Sequence, residues 1–206
     1  MEAVFSRSAE IAGISNRMVN DWEGIVLDFR SSDESTIHPA NDLLVQALQH
    51  YFGDTYLAQS VVQHTTELCS HMIRLWRSKL EQDAELIHPG EKGRKYIFLL
   101  NNTYVVRQTV SRQGAYFPKV ELRSRLSSMI EGYKKGYLDE CWAPLNRLKS
   151  EEFTAEFLAT CNRQRTWKVT AELRYQLRQE ILDLVVSHSP YEVSNGSCMM
   201  EGLFEG

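Results

Sequence analysis

The stretch KYIFLLNNTYVVRQTV, residues 95–110, decides the fold of this chain because it can be interpreted in two ways. Two apolar runs flank Asn101 and Asn102, and their tyrosine, isoleucine, phenylalanine and valine residues favour a β-hairpin with a tight turn. At helical spacing, however, Ile97 and Leu100 share one face and the other face is also apolar. That pattern is typical of a helix buried between neighbours. Because no other stretch offers a partner strand and a lone hairpin is marginal, we predict a helix.

A helix buried on all sides must also bury its two asparagines. Buried side-chain amides are almost always hydrogen-bonded, so Asn101 and Asn102 require partners. We expect at least one of them to bond the backbone or a side chain of a neighbouring helix. The pair is therefore predicted to be a structural polar core that sets helix register, with no catalytic role.

Helical periodicity also dominates the rest of the chain. Residues 56–82 carry apolar side chains at steps of three and four, the spacing of a buried seam. Residues 120–148 continue the pattern over a length that spans a small domain. Gly132 and Gly136 are expected to loosen the middle of this second helix, and Pro144 is expected to kink it.

Two further helix starts are indicated. Ser150 is followed by Glu151 and Glu152, which resembles a capped start with acids in the first turn. Thr170 opens a last long amphipathic segment. Since no segment finds a convincing strand partner, we predict an all-α fold of helical bundles.

The bulk composition is that of an ordinary folded domain. The chain has 206 residues, of which 43% are apolar and 24% are charged. It lacks the run of about 18 apolar residues that a transmembrane helix needs, and its first residues do not resemble a signal peptide. The four cysteines form no CxxC pair, which argues against a disulfide framework or zinc module and fits a reducing compartment.

Sequence motifs for common chemistries are missing. The chain contains no HExxH, GxSxG, GxGxxG or Walker-type pattern. Residues 90–95 have the glycines and lysines of a phosphate-binding loop at the wrong spacing. His64, Glu67 and His71 share one predicted helix face, but a metal site needs more ligands in a closed geometry. We therefore expect no cofactor and no metal ion.

Two cysteines and two aromatic residues complete the candidates for catalysis or nucleic-acid binding. Cys141 and Cys161 lie among apolar or aromatic neighbours with no evident base, so we predict buried core cysteines rather than nucleophiles. Tyr133 and Trp142 fall on the apolar side of their helix, and the pI of about 5.9 argues against nucleic acid. The sequence thus predicts a protein that is not an enzyme and has no nucleic-acid partner.

The net charge of −4 is unevenly distributed. Residues 111–178 contain 13 Lys or Arg and 8 Asp or Glu, whereas the last 28 residues contain five acidic and no basic residues. One basic cluster straddles a predicted helix–helix connection. It suits an anionic lipid headgroup or an acidic partner, and scattered surface charge is the alternative. Its members are Arg163, Arg165, Lys168, Arg174 and Arg178.

Taken in order, several short motifs resemble the C-terminal region of the plant seventy-kilodalton exocyst subunit family. The most specific are the stretch from Ile97 to Val106 and the pair Trp167-Lys168-Val169 and Leu173-Arg174. The resemblance runs from about residue 15 to the end. The other matching pieces are Ile37-His38-Pro39, Tyr137 to Trp142 with Pro144-Leu145, Pro190-Tyr191 and Leu203-Phe204-Glu205-Gly206.

The resemblance implies an elongated rod of stacked helical bundles, with residues 1–36 as an N-terminal helix and linker and residues 37–206 as the exocyst-subunit-like region. It implies a non-enzymatic role in exocytosis, in which secretory vesicles are tethered to the plasma membrane through other exocyst subunits and phosphoinositides. A cytoplasmic location, peripheral to the plasma membrane or secretory vesicles, follows from that role. The alternative that it implies is a plant-immunity module bound by pathogen effectors or acting as a decoy fragment.

The chain departs from the family pattern in three places. It corresponds to the C-terminal part of a full subunit, without the coiled coil that joins the other exocyst subunits. Residues 112–118 stand where family members carry a Gly-Asp-x-Trp element. A short polar segment without Lys or Arg joins Tyr191 to Leu203, which leaves the basic cluster as the candidate membrane contact.

The missing N-terminal neighbour has a structural consequence. A helix pair that normally packs on that neighbour would expose an apolar surface. We expect this surface near Val4, Phe5, Ile11 and Ile14.

Overall fold

The structure is a computed structural model, and it describes residues 38, 40–42, 44–46, 48, 59–112, 119–186, 200 and 202–204. The chain divides into two units, Met1–Ser32 and Asp33–Gly206, and every described residue belongs to the second. The predicted apolar surface near Val4 and Ile14, and the predicted boundary between residues 36 and 37, therefore lie outside the described residues.

The described part of the chain is helical. Residues 40–42, 44–46 and 48 are helical, and no β-strand occurs among the residues that the structure describes, so the predicted all-α fold is confirmed. Further along, the elements are α1 (Gln59–Ile87), α2 (Lys92–Arg112), α3 (Lys119–Cys141), a 3₁₀ helix (Ala143–Arg147), α4 (Ser150–Gln164) and α5 (Ala171–Val186).

Burial of α2 on all sides decides the conformation of residues 95–110. Every residue from Ile97 to Tyr104 is buried, as are Val106 and Val110. The strand preference of such residues spans only about 1 kcal/mol, whereas burying one side chain the size of Phe98 contributes about 1.5–3 kcal/mol. The packing of several buried side chains therefore outweighs local preference, and the predicted helix is confirmed.

Two glycines allow other groups to approach α2 and α3 closely. A methyl group at Gly136 of α3 would lie 2.5 Å from Cζ of Tyr96 on α2. A methyl group at Gly93, in the first turn of α2, would lie 2.5 Å from Sγ of Cys141 and 2.9 Å from the ring of Trp167. Both contacts are shorter than van der Waals packing permits, so a side chain at either position would force its neighbours to move.

The structure corrects our expectations for α3. This helix is continuous through Gly132 and Gly136, so the prediction that they loosen it is wrong. It also ends at Cys141, and Pro144 lies at the start of the 3₁₀ helix rather than at a kink. Proline suits that position because its fixed φ fits a first helical turn and its missing N–H leaves no donor unsatisfied there.

Two other helix boundaries differ from the prediction. α1 continues to Ile87, beyond the predicted end at residue 82, and the chain then turns at Gly90, whose φ of 77° favours glycine. The N-cap of α4 is Lys149 and makes no side-chain hydrogen bond, so the predicted cap by Ser150 is wrong. Glu151 does lie in the first turn of α4, as predicted, where its negative charge interacts favourably with the positive end of the helix dipole.

The described core is formed by large apolar side chains from all five α-helices and the 3₁₀ helix. α2 packs against α1 and along α3, and the 3₁₀ helix contacts α3, α4 and α5. On α1 the buried side includes Met72, Trp76 and Leu80, whereas Leu75 is only half-buried. The largest fully buried side chains are Trp76, Phe98, Tyr137, Trp142 and Phe204.

Alanine substitution distinguishes the two glycines of α3. A methyl group at Gly132 would meet no atom within 4 Å, so Gly132→Ala should raise the free energy of unfolding by about 0.5–1 kcal/mol through helix propensity. Gly136→Ala gains the same propensity but forces Cβ against Tyr96, and a net loss of about 1–2 kcal/mol is expected. Urea denaturation followed by circular dichroism measures both. Equal stabilisation by the two substitutions would contradict the close approach of α2 and α3.

Candidate functional site

Asn102 is the centre of a buried hydrogen-bond junction. Its Oδ1 accepts two bonds, from the His38 backbone N–H at 2.7 Å and from Nδ2 of Asn41 at 2.7 Å. Its Nδ2 donates to the Phe98 carbonyl oxygen at 2.9 Å. Asn41 Oδ1 in turn accepts from the indole N–H of Trp76 at 2.9 Å. One asparagine thus joins α2 to His38 and Asn41, and through Asn41 to α1.

A buried histidine–carboxylate pair adjoins this junction. His38 Nε2 lies 2.9 Å from Asp83 Oδ2, and Lys79 Nζ lies 3.0 Å from Asp83 Oδ1. The Ala40 backbone N–H donates to His38 Nδ1 at 3.1 Å, so in the neutral ring the proton is on Nε2 and faces the carboxylate. Burial raises the pKa of Asp83, but hydrogen bonds from His38 and Lys79 outweigh this effect and hold the pKa below 3.8.

Asn101, the neighbour of Asn102, bonds a different segment, the connection between α4 and α5. Its Nδ2 donates to the Lys168 carbonyl oxygen at 2.9 Å, and its Oδ1 accepts from the Thr170 backbone N–H at 3.2 Å. The side-chain amide therefore bonds a donor and an acceptor of the same extended segment. This two-point contact fixes the position of residues 168–170 relative to α2.

The same connection is also held by an aromatic residue. Trp167 is only 5% exposed and packs over the backbone of Gly93. The guanidinium carbon of Arg94 lies 5.8 Å from the centroid of the Trp167 ring, a cation–π distance. Trp167 and Asn101 together make the α4–α5 connection a constrained segment.

The C-terminal turn packs into the same core. Leu203 and Phe204 are fully buried, and the Phe204 ring lies 6.3 Å from the ring of Tyr137 on α3. Phe204 has a φ of 62°, which is strained for a residue with a side chain. Nη2 of Arg178 donates to the Leu203 carbonyl oxygen, so α5 holds this turn in place.

The basic cluster predicted from the sequence separates into two groups. Arg163, Arg165 and Lys168 are exposed. Among them, Arg163 Nη2 pairs with Glu156 Oε1 at 3.3 Å. Arg165 and Lys168 lie in the short connection between α4 and α5, so their side chains are presented to solvent by the segment that Asn101 holds.

The other two members of the cluster are half-buried. Arg174 Nη2 donates to the Val169 carbonyl oxygen at 3.3 Å, and Arg178 donates to the carbonyl oxygen of Leu203. The two guanidinium groups thus bond the backbone of two different segments, which leaves fewer donors for an external anion.

The other residues considered as candidates for catalysis, metal binding or nucleic-acid binding are poorly suited to those roles where the structure describes their side chains. Burial raises the pKa of the Cys141 thiol and of the Cys161 thiol to about 12, so both stay protonated at neutral pH and are poor nucleophiles. Tyr133 and Trp142 are buried. The side chains of His64, Glu67 and His71 lie outside the described residues, and among those described no three acidic, histidine or cysteine side chains cluster as a metal site.

A comparison with known protein families gives a match that covers the helices α1 to α5. The family model that matches is that of the C-terminal region of Exo70, a component of the exocyst complex, and it matches residues 53–188, about two thirds of the chain. The chain belongs to the Exo70 exocyst subunit family. The match includes α1 to α5 and therefore the Asn101–Asn102 pair. The comparison with individually curated proteins returned no match.

Membership of the Exo70 family gives the role at a general level. Exo70 subunits are structural tethering proteins, so the match supports an exocyst-subunit-like role in vesicle tethering. Within the described part of this Exo70 region, no helix is long and apolar enough to span a bilayer.

The sequence signal for the Asn102 junction was the Asn-Asn pair, whereas nothing in the sequence indicated the contact between His38 and Asp83.

The Asn102 junction predicts a large loss of stability on truncation. Asn102→Ala leaves the His38 N–H and the Asn41 amide without an acceptor, and each buried unsatisfied group costs about 1–3 kcal/mol. We expect a loss of about 2–5 kcal/mol in the free energy of unfolding, measured by urea denaturation. Asn162→Ala makes the same chemical change on the exposed face of α4 and should alter stability by less than about 0.5 kcal/mol. A similar effect of both substitutions would contradict the role of Asn102 in this Exo70 region.

The lowered pKa of Asp83 predicts a pH dependence of stability. Because the folded pKa lies below the ordinary 3.8, the unfolded chain binds the proton first, and stability must fall as the pH drops below about 4. Above that pH the stabilisation is fully present. Asp83→Asn should lower stability near neutral pH and flatten this acid decline, whereas Asp183→Asn, at an exposed position, should leave the decline unchanged. Thermal unfolding between pH 2 and 7 measures it, and an identical decline in all three proteins would rule out the Asp83 contribution.

Proposed function

We propose that this chain is a non-enzymatic tethering module that acts through other exocyst subunits and through a weak contact with phosphoinositide membranes. The family match supports the tethering role. The proposed membrane contact is supported by the exposure of Arg165 and Lys168. Both lie in the α4–α5 connection, whose backbone is hydrogen-bonded to Asn101. The protein would then work in the cytoplasm, peripheral to the plasma membrane or to secretory vesicles.

The physical basis of the membrane contact is the match between guanidinium or ammonium groups and phosphate oxygens. Arginine binds phosphate through two parallel hydrogen bonds, and each basic residue close to an anionic leaflet contributes about 1 kcal/mol. Arg165 and Lys168 together would contribute about 2 kcal/mol by this measure. That energy is too small for stable anchoring, so membrane contact in this chain would supplement attachment through partner proteins.

A constrained presentation makes this small contribution more effective. Trp167 is buried between two of the exposed basic residues, and Asn101 holds the carbonyl oxygen of Lys168. Little backbone entropy is then lost when the segment meets a headgroup. The alternative function, a plant-immunity module bound by pathogen effectors or acting as a decoy, has no comparable support from the described residues, and the tethering role is preferred for that reason.

Liposome binding tests the membrane contact. Arg165→Glu combined with Lys168→Glu should reduce cosedimentation with vesicles containing phosphatidylinositol 4,5-bisphosphate by about tenfold or more, because two attractive charges become repulsive. Arg123→Glu combined with Lys135→Glu makes the same change of charge at exposed positions on α3 and should reduce binding much less. Equal losses would mean that only net charge matters and would contradict the assigned surface.

Affinity purification of the full chain tests the tethering role. Recovery of other exocyst subunits is the expected result, and the charge-reversed variant at Arg165 and Lys168 should still recover them. Recovery of secreted pathogen proteins in place of exocyst subunits would favour the immune role instead.

A further inference from the structure

A cleft of about 700 Å³ lies at the end of α3, apart from the Asn102 junction. Its walls are the turn at Gly90 with the start of α2, the last residues of α3, the 3₁₀ helix and one side of α4. Small-molecule and peptide-anchor pockets occupy about 300–1,000 Å³. The cleft is therefore large enough for a few side chains of a binding partner, and we call it the acidic cleft.

Glutamates dominate the polar lining of the acidic cleft. Two basic residues also line it, and both are already paired: Lys92 Nζ lies 3.1 Å from Glu140 Oε1, and Arg163 pairs with Glu156. With two basic residues against four glutamates, the lining has a formal net charge of −2. The four glutamates are Glu91, Glu140, Glu152 and Glu156.

The ion pairs around the acidic cleft leave carboxylate capacity for a ligand. Glu152 is exposed and pairs with no described residue. The pairs of Lys92 with Glu140 and of Arg163 with Glu156 are solvent-exposed, with side-chain exposures of 60% and 41% in the first pair. Exposed pairs contribute only about 0–1 kcal/mol, so an incoming cation can share these carboxylates at little cost.

The inner wall of the acidic cleft combines apolar surface with one unpartnered polar group. Leu145 is buried, while Leu148 is 38% exposed, a large value for a leucine. Thr160 lines the cleft and is only 2% exposed, and its hydroxyl makes no hydrogen bond with any described residue. A hydroxyl that lines the cleft can donate a hydrogen bond to a ligand and accept one from it, so the cleft suits a ligand that carries hydrogen-bonding groups as well as apolar surface.

We propose that the acidic cleft binds a short basic segment of a partner protein, in which an Arg or Lys side chain alternates with apolar side chains. The cation would lie among Glu140, Glu152 and Glu156, and an apolar neighbour would cover Leu148. Peptide donors would supply the Thr160 hydroxyl with a partner. The ligand class is set by charge complementarity, because a net negative lining repels acidic segments and attracts basic ones.

The chain's own C-terminal segment is a poor occupant of the acidic cleft. Residues 179–206 contain five acidic and no basic residues, so the same glutamates would repel this segment. The basic surface at Arg165 and Lys168 also differs from the acidic cleft in charge and in ligand. The inference therefore goes beyond the proposed membrane contact and does not depend on it.

Fluorescence anisotropy with the full chain tests this assignment. The probe is a labelled hexapeptide of alternating leucine and arginine, compared with one of alternating leucine and glutamate. We expect saturable binding of the basic peptide only. Glu140→Gln combined with Glu152→Gln should weaken that binding by about tenfold, and high salt should weaken it further. These two glutamates are exposed, so glutamine replaces them with little change in packing.

The matched control changes the same charge elsewhere. Glu121→Gln combined with Glu172→Gln, at exposed positions on α3 and α5 outside the lining of the cleft, should leave binding within about twofold. Equal weakening by the two double variants would overturn the proposal, because it would show attraction to net charge only. Absence of saturable binding up to about 1 mM peptide would also overturn it.

Two further measurements test the apolar part and the identity of the occupant. Leu148→Gln should weaken the leucine–arginine peptide but not a serine–arginine peptide, and an equal effect on both would overturn the proposed apolar contact. Analytical ultracentrifugation should show the same association state in the wild type and in the Glu140→Gln/Glu152→Gln variant. A dimer that this variant abolishes would assign the cleft to a second copy of the chain and overturn the partner assignment.

Discussion

The two adjacent amides of Asn101 and Asn102, within the buried run from Ile97 to Tyr104 of α2, impose the strongest constraint on how the helices pack. An unpaired amide in the interior is unfavourable by several kcal/mol. A few such groups would cancel the whole folding stability of a domain. Asn102 meets this requirement through His38, Asn41 and the Phe98 carbonyl oxygen. Asn101 meets it on the α4–α5 connection. Neighbouring residues on one helix thus fix two segments on different sides of α2.

The rest of the described core supports this arrangement by allowing close packing. Glycine at position 93 lets Trp167 approach the start of α2, next to the segment that Asn101 bonds. Glycine at position 136 does the same for Tyr96 and brings α3 against α2. Since the interior is densely packed, a methyl group added at either place would force the neighbouring side chains to move. Helix register and helix spacing are therefore set together.

The surfaces available to partners follow from the same packing. Trp167 and Asn101 anchor the α4–α5 connection, and this anchoring leaves Arg165 and Lys168 exposed while Arg174 and Arg178 turn toward backbone carbonyl oxygens. On the side of α4 that faces the 3₁₀ helix, glutamates of α3, of α4 and of the turn before α2 meet around one cleft. The folded chain thus presents basic side chains on the α4–α5 connection and glutamates around the acidic cleft. The first surface suits an anionic partner and the second a basic one.

Periodicity and the chemistry of single residues are sufficient to predict the all-α class, the helical state of residues 95–110 and the need of Asn101 and Asn102 for buried partners. The other features depend on contacts between distant parts of the chain. Apart from the Phe98 carbonyl oxygen, the hydrogen-bond partners of the two amides lie 61 to 69 residues away along the chain, and no local pattern encodes such a distance. The roles of Gly136 and Pro144 were predicted wrongly for the same reason, since a glycine that weakens an isolated helix can be required where another helix packs against it.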